Sequence, residues 1–364
     1  MLHRWEGGTR AALAALAAIC LAPGAATVLE AQAVGGQAPP DSTESSAPRL
    51  FGAADPLVLT LTADFGAISK QRGTEKKSLP GVLSYVAATG DSVRLDVQLR
   101  TRGHFRLNLC QYPPLKVTFD KAQTSRTIFA HEGSSFKLTV QCRGGASYTN
   151  YLLEEYLIYR VYTLLTDQTF RVRLARVTYM DRAGKQPPET RHAFFVEDDD
   201  RMARRNHTKV LVQKGVTQGE LDADQTGLAM VFQYMIGNTD FAVTALHNIV
   251  LIQDSVGIVS PVPYDFDWSG VISTPYARPD ARLPIQTVRQ RTFRGMCLTP
   301  EELSALFARF NARKDAIYAL YRGLESEGLE PKRVKQALDY YDEFYKTIND
   351  AGRTRQEFMR SCQR

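Results

Sequence analysis

The stretch SVRLDVQL, Ser92–Leu99, alternates polar and apolar side chains along its whole length. A period of two is typical of a β-strand that has one buried face. The surrounding residues 56–140 contain four more short β-rich segments, which are Leu57–Thr62, Gly81–Ala87, Leu115–Phe119 and Phe136–Val140. Together the five segments predict an antiparallel sheet in this part of the chain.

After this sheet the apolar residues recur at helical spacing. They predict a first helix over residues 152–165, with Asn150 as its N-cap. Further helices are predicted at Asp224–Ile236, Ser304–Arg322 and Pro331–Asn349, and further strands at Arg173–Met180, Ala193–Glu197, Asn248–Gln253 and Val259–Pro263. Thr299 precedes Pro300 and Glu302, which is the pattern of a capped helix start.

The order of these elements, strands first and helices later, predicts an α+β fold. A β-rich N-terminal lobe is expected over residues 51–197, including the first long helix, and a mostly helical C-terminal lobe over residues 198–364. Of the 364 residues, 44% are hydrophobic and 23% are charged, a composition that excludes a disordered chain. The net charge of +6 includes no long Lys/Arg run, which argues against nucleic-acid binding.

The N-terminus has the pattern of a secretory signal. Arg4 and Arg10 precede the apolar run at residues 11–22, and the sequence Ala-Gln-Ala follows at 31–33. Residues 1–33 are therefore predicted to be a signal peptide, and residues 34–50, which are rich in Gly, Pro and Ser, a flexible tether. Spanning a bilayer takes about 20 apolar residues, so no transmembrane segment is expected in the mature chain. A secreted or periplasmic location follows.

If the chain is exported, its cysteines are expected to form disulfides, because thiols that meet outside the cytoplasm are oxidised. Four cysteines remain after the predicted cleavage, and they allow three pairings. We favour Cys110 with Cys142, which lie in neighbouring strand-like segments, and Cys297 with Cys362, which would hold the C-terminal helices. A structural zinc site is the less favoured alternative, since no two of the four have C-x-x-C spacing.

Chemistry-bearing side chains are concentrated between Asn238 and Trp268. If the two strands predicted there form a hairpin, Asp240, Asn248, Asp265 and Asp267 meet at one of its ends. Carboxylate and amide oxygens are the ligands that Mg²⁺ prefers, and phosphoryl transfer uses such a set. The alternative is that Asn238 and Asp240 cap turns and that Asp265 and Asp267 face solvent. The combination of these residues, set among aromatic neighbours, favours the functional interpretation.

Three segments here resemble the CotH-type secreted protein kinases, an atypical branch of the protein-kinase-like fold. They are IGNTD at 236–240, HNIVL at 247–251 and VPYDFDW at 262–268, with weaker similarity in RTRG at 100–103 and AFFVED at 193–198. The resemblance implies a two-lobed protein-kinase-like fold that uses Mg²⁺ and ATP. The chain has no H-R-D, G-x-G-x-x-G or V-A-I-K motif.

The resemblance also implies roles for individual residues. Asp240 matches the catalytic aspartate, Asn248 a metal-binding amide and Asp265 the metal-binding aspartate, with Asp267 assisting the metal.

A nucleotide site also needs a cation for the phosphates, on a strand, and a helix glutamate that holds this cation. Lys116 and Lys137 both alternate with apolar neighbours, and Lys116 fits the family pattern better. Glu154 or Glu155 on the first helix is the expected partner. Glu197 follows Phe194 and Phe195, where kinase-like chains join their lobes and contact adenine. The alternatives are strand lysines and helix glutamates that only face solvent.

Three functions remain open. The first is a secreted kinase that transfers the γ-phosphate of ATP to an exported protein or another envelope hydroxyl. The second is a metal-dependent phosphodiesterase or nuclease that activates water with the same carboxylates. The third is a non-catalytic cell-envelope protein that binds a partner, which the scarcity of ATP outside the cytoplasm favours. No G-x-S-x-G or H-E-x-x-H motif supports a serine hydrolase or zinc protease.

Overall fold

Seven strands of the computed structural model pair in the order β1-β2-β3-β4-β5-β7-β6 and close into a barrel. The structure describes residues 49–73, 75–103 and 105–363. The predicted signal peptide and all of the predicted tether before residue 49 lie outside these residues. The barrel strands are β1 Leu57–Ala63, β2 Leu79–Val86, β3 Ser92–Thr101, β4 Leu115–Phe119, β5 Ser135–Val140, β6 Val172–Asp181 and β7 Glu189–Val196.

Closure of the barrel depends on one parallel pair. Leu57 of β1 lies beside Ala175 of β6, and the two strands remain paired as far as Ala63 and Asp181. The other neighbouring strands of the barrel are antiparallel. Alternate residues of β1 point inward and are buried, whereas Val58 is 65% exposed. The barrel interior therefore forms a hydrophobic core of its own.

A second core lies among the helices and a three-stranded sheet with the order β10-β9-β8. The strands are β8 Lys209–Leu211, β9 Ile249–Gln253 and β10 Val259–Pro263. The helices are α1 Phe65–Ser69, α2 Phe105–Leu109, α3 Lys121–Thr124, α4 Ala146–Thr163, α5 Asp199–Arg205, α6 Ala223–Ile236, α7 Pro300–Gly323, α8 Pro331–Ile348 and α9 Ala351–Thr354. Helix α4 contacts both the barrel strands β6 and β7 and helix α7, so it joins the two cores.

The predicted two-lobed protein-kinase-like fold is wrong. The observed arrangement is a closed seven-stranded mixed barrel with a small three-stranded sheet and helices. The period of a strand reports which side chains are buried, but it carries no information about which strand lies beside it. The parallel pairing of β1 with β6 joins segments that are far apart in sequence, and this contact converts the expected antiparallel sheet into a closed mixed barrel.

The individual elements agree closely with the prediction. Every predicted strand and long helix has an observed counterpart, and Thr299 forms the predicted capping box with Glu302. The prediction that Asn150 caps the first helix is wrong. The N-cap is Gly145, whose φ of 95° a residue with a side chain rarely adopts. Asn150 is buried inside α4 and accepts a hydrogen bond from the backbone N–H of Glu330.

Both favoured disulfides are confirmed. Cys110 pairs with Cys142, with 4.5 Å between their Cα atoms, and Cys297 pairs with Cys362 at 4.9 Å. Two disulfides fit an extracellular protein, because the cytoplasm keeps thiols reduced. In the described part of the chain, no helix has both the length and the apolar character needed to cross a bilayer.

Candidate active site

The β9–β10 hairpin brings three of the predicted site residues together, as its sequence suggested. Ile249 pairs with Pro263, so the residues just beyond this pair lie side by side. The backbone N–H of Tyr264 donates to the carbonyl of Asn248 at 3.1 Å, and Asp265 follows immediately. The Asn248 amide donates to the Asp240 carbonyl at 2.7 Å and to its Oδ2 at 3.0 Å.

The backbone is strained at this end of the hairpin. Leu246, Asn248 and Asp265 have φ angles of 53°, 53° and 61°, in the left-handed region that non-glycine residues seldom occupy. Asp265 is held there because its N–H donates to the Tyr159 hydroxyl of α4 at 2.9 Å. Such strain costs on the order of 1–3 kcal/mol per residue, with Asn and Asp at the lower end, and it is concentrated at functional sites.

The carboxylate of Asp240 is oriented through both of its oxygens. His247 Nε2 lies 2.9 Å from Oδ1, while Asn248 donates to Oδ2. The backbone N–H of Asp240 donates to the side chain of Asn238 at 3.1 Å, which fixes the turn. The Asp240 side chain is still 31% exposed and lines an open cleft of about 620 Å³. A positioned, solvent-reachable carboxylate is suited to accept a proton from a bound hydroxyl.

A second group of carboxylates surrounds Arg106 of α2, a residue that sequence reasoning missed. Its guanidinium donates to both oxygens of Glu155 at 3.0 Å, to Asp265 Oδ1 at 2.8 Å, and lies 2.9 Å from Asp267 Oδ1. One oxygen from each of the three carboxylates lies within 4.8 Å of the others. We define Arg106, Glu155, Asp265 and Asp267 as the arginine–carboxylate cluster.

Burial determines the electrostatics of this cluster. It raises the pKa of both Glu155 and Asp267, and the charge of Arg106 opposes that rise. Asp267 also accepts a hydrogen bond from the Tyr276 hydroxyl at 3.0 Å. With three carboxylates and one guanidinium, the fully ionised cluster carries a charge of −2. Its surplus negative charge matches a divalent cation.

The two predicted lysines lie side by side on β4 and β5 but have different surroundings. Lys116 and Lys137 are register partners, so their side chains point to the same face. Lys137 Nζ lies 2.5 Å from Asp199 Oδ1 and over the rings of Phe170 and Tyr264, at 5.0 and 4.7 Å. Burial lowers the pKa of Lys137, and Asp199 opposes this.

Lys116 is half-buried and has no hydrogen bond or ion pair with another described side chain. The side chain of Arg102, on the segment after β3, is likewise unpaired among the described residues. On the same face as Lys116, Lys137 lies 4.7 Å from the ring centre of Tyr264, the residue before Asp265. The charges of Lys116 and Arg102 are therefore not paired with any described carboxylate.

The expected glutamate partners of Lys116 are engaged elsewhere. Glu154 is fully buried against Arg333 of α8, with nitrogen–oxygen distances of 3.2 and 2.5 Å. Glu155, the next residue along α4, points to another side of the helix and pairs with Arg106. Glu197 binds the guanidinium of Arg205 at 3.1 and 2.9 Å. Of the two helix glutamates, Glu155 alone lies beside the predicted metal residues.

Sequence reasoning also missed Tyr159 and Tyr276, which hold Asp265 and Asp267. For Arg106, the one available signal was its position after the basic segment RTRG at residues 100–103. Comparison with known proteins gave no assignment, since no protein-family model and no curated protein matches the chain.

Proposed function

We propose that this protein is a Mg²⁺-dependent phosphotransferase that moves the γ-phosphoryl group of a nucleotide such as ATP to a hydroxyl of an exported protein or envelope component. The observation that carries the proposal is the convergence of Asp240, Asn248 and Asp265 at one strained hairpin end. The resemblance to CotH-type kinases lies in the same segments and supports the same chemistry. The two-lobed fold that the resemblance also implies is contradicted by the closed barrel.

The donor atoms around the hairpin suit a divalent cation. Because Asn248 uses its amide nitrogen on Asp240, its amide oxygen is left as a ligand. Asp265 is 36% exposed, and among the described residues only its Oδ1 accepts from Arg106. Asn248 and Asp265 would hold Mg²⁺, with Asp267 in support. The bound ion would neutralise phosphate charge during transfer.

Asp240 acts on the acceptor. Its carboxylate takes the proton of the acceptor hydroxyl as that oxygen forms a bond to the γ-phosphorus. The bond from the γ-phosphorus to the bridging oxygen breaks, and the nucleoside diphosphate leaves with that electron pair. Lys116 and Arg102, on the barrel strand β4 and the segment after β3, would stabilise the charge of the phosphates.

Arg106 favours a second candidate, a non-catalytic envelope protein that binds a partner. Its guanidinium already supplies one positive charge to Glu155, Asp265 and Asp267, so the cluster has a structural role without any metal. A buried network of this kind is destabilised when one member is removed, whatever the activity of the protein. Among the described residues, no contact specifically favours the other open function, a metal-dependent phosphodiesterase that activates water.

The test is a thermal-shift titration with ATP and Mg²⁺ together, and with each alone. We expect the melting temperature to rise with ATP and Mg²⁺ together, and this rise to disappear in Asp265→Asn. Asp315→Asn, an exposed carboxylate on α7, is the matched control and should behave like the parent. A parent protein that responds to neither the nucleotide nor the metal would refute the phosphotransferase and favour the binding protein.

A further inference from the structure

The cleft beside Asp240 is lined by two chemically different kinds of side chain. The apolar lining includes Phe241, Leu246 and Trp268. The basic lining consists of three arginines, Arg278, Arg282 and Arg294. A cleft that combines apolar surface with several guanidinium groups matches a ligand that has both carbon-rich and anionic parts.

The charges of the cleft do not cancel. Its lining includes three arginines and two aspartates, Asp240 and Asp280, which leaves one positive charge even when His247 is neutral. Asp280 is engaged by Arg282, with the Arg282 Nε at 3.0 and 3.1 Å from its oxygens. Arg278 and Arg294 have no carboxylate partner among the described residues. The charges of these two guanidinium groups are therefore not neutralised by an ion pair with a described carboxylate.

Arg294 connects this positive charge to the reacting position. Its Nη1 donates to the carbonyls of Thr239 and Phe241, at 2.5 and 2.9 Å, on either side of Asp240. Its guanidinium lies 4.7 Å from the Phe241 ring centre, and its Nε is buried without a hydrogen-bond partner among the described residues. An anionic group bound in the cleft would consequently lie close to the Asp240 carboxylate.

We propose that this cleft is the acceptor site and that the acceptor is an acidic peptide segment, with acidic side chains on Arg278 and Arg294 and its hydroxyl at Asp240. The inference rests on the proposed function, because it assigns the acceptor of the same reaction. A peptide fits better than a uniform anionic polymer, since a peptide also has apolar side chains that can contact Phe241, Leu246 and Trp268.

The experiment measures peptide binding without nucleotide or Mg²⁺. Three fluorescent peptides of equal length carry a central serine flanked by acidic, basic or small neutral residues. We expect the acidic peptide to bind most tightly and its affinity to fall as salt is added. Arg278→Glu should weaken it about tenfold, because an attraction becomes a repulsion at a partly exposed site. The matched control is Arg313→Glu, which changes an exposed residue of α7 and should leave the affinity for the acidic peptide unchanged.

Arg278 is exposed and donates only to nearby carbonyls, so the variant is expected to fold, which its melting curve checks. A preference for the neutral or basic peptide, an unchanged affinity in Arg278→Glu, or Arg278-dependent binding of polygalacturonate in place of the peptide overturns the inference.

The experiments distinguish failure of the proposed phosphotransferase from failure of the proposed acidic-peptide acceptor. Acidic-peptide binding without any response to ATP and Mg²⁺ refutes the phosphotransferase, and with it the role of this peptide as a phosphate acceptor. If the melting temperature rises with ATP and Mg²⁺ but the acidic peptide does not bind most tightly, the acceptor assignment is refuted and the phosphotransferase is not.

Discussion

A substitution at Asp240 distinguishes a role in phosphotransfer from a role in nucleotide binding. This residue is oriented by Asn248 and lies at the cleft, outside the arginine–carboxylate cluster. Asp240→Asn keeps its shape but removes the base, so we expect phosphotransfer to fall about 10²- to 10⁴-fold. Nucleotide affinity should stay within about twofold of the parent, as measured by calorimetry. An equal loss of affinity and turnover would show that Asp240 is a metal ligand or a structural residue.

Arg106 offers a test of the cluster itself. Arg106→Met removes the guanidinium that faces Glu155, Asp265 and Asp267 and leaves three buried or half-buried carboxylates together. Breaking a buried ion pair costs about 3–5 kcal/mol, so we expect the free energy of unfolding in urea to fall by that amount. Added Mg²⁺ should restore more stability to this variant than to the parent, since it replaces the missing positive charge.

The exposed Arg313→Met is the control for Arg106→Met and should change the free energy of unfolding by less than about 0.5 kcal/mol. Arg106→Met that unfolds like the parent at every Mg²⁺ concentration would show that the four side chains do not form one electrostatic unit.

The spatial neighbours of some site residues can be predicted from the sequence, whereas those of others cannot. Asn248 and Asp265 bracket two strands that follow each other along the chain, so a hairpin is enough to bring them together. Arg106 reaches Asp265 across 159 positions, and no local pattern encodes such a contact. The candidate metal residues were thus predictable, whereas the arginine among them required the tertiary structure.

At the scale of elements, the two disulfides are expected to have different effects. Cys110 directly follows α2, the helix that carries Arg106, and its bridge to Cys142 anchors that helix beyond β5. The Cys297–Cys362 bridge instead ties the end of the chain to the segment before α7. The two bridges close loops of 32 and 65 positions. For a loop of either length, the chain-entropy model gives a stabilisation of about 4 kcal/mol.

We therefore predict that the double variant Cys110→Ser, Cys142→Ser loses both stability and Mg²⁺-dependent nucleotide binding. The variant Cys297→Ser, Cys362→Ser should lose stability alone. Melting curves and nucleotide titrations of the two variants make the comparison. Equal effects on nucleotide affinity would contradict the assigned role of α2.

Elements were the most predictable level of this structure. The strand β3 and the capped start of α7 follow from local pattern, because alternation and capping act over a few residues. The start of α4 was not predicted correctly, since Asn150 has the chemistry of a cap but is used by the backbone of Glu330, 180 positions away. A tertiary contact outweighed a local preference.

At the scale of the whole molecule, barrel closure gives β1 a central role. Leu61 lies in β1, between β2 and β6, and its side chain is fully buried. Leu61→Ala should lower the free energy of unfolding by about 2–5 kcal/mol, measured in urea. Val58→Ala on the outer face of the same strand should cost less than about 0.5 kcal/mol. Similar small effects at both positions would mean that β1 is an accessory edge strand.

Topology was the level that sequence did not predict. The same strand segments are compatible with an open sheet or a closed barrel, because their inward and outward faces are identical in both. The choice depends on Leu57 meeting Ala175, and each of these residues looks like an ordinary strand residue in its own segment. The resemblance in residues 236–268 carried no information about this contact.

The parallel pair β1–β6 also has a kinetic consequence. As the polypeptide is synthesised, β1 emerges well before β6, and until then one edge of β1 has unsatisfied N–H and C=O groups. Distant pairing slows folding, and an open edge recruits strands from other molecules in the meantime. Dilute conditions or a chaperone that covers nascent strands should therefore improve the yield of native protein, and crowded refolding should produce aggregates that begin at Leu57–Ala63.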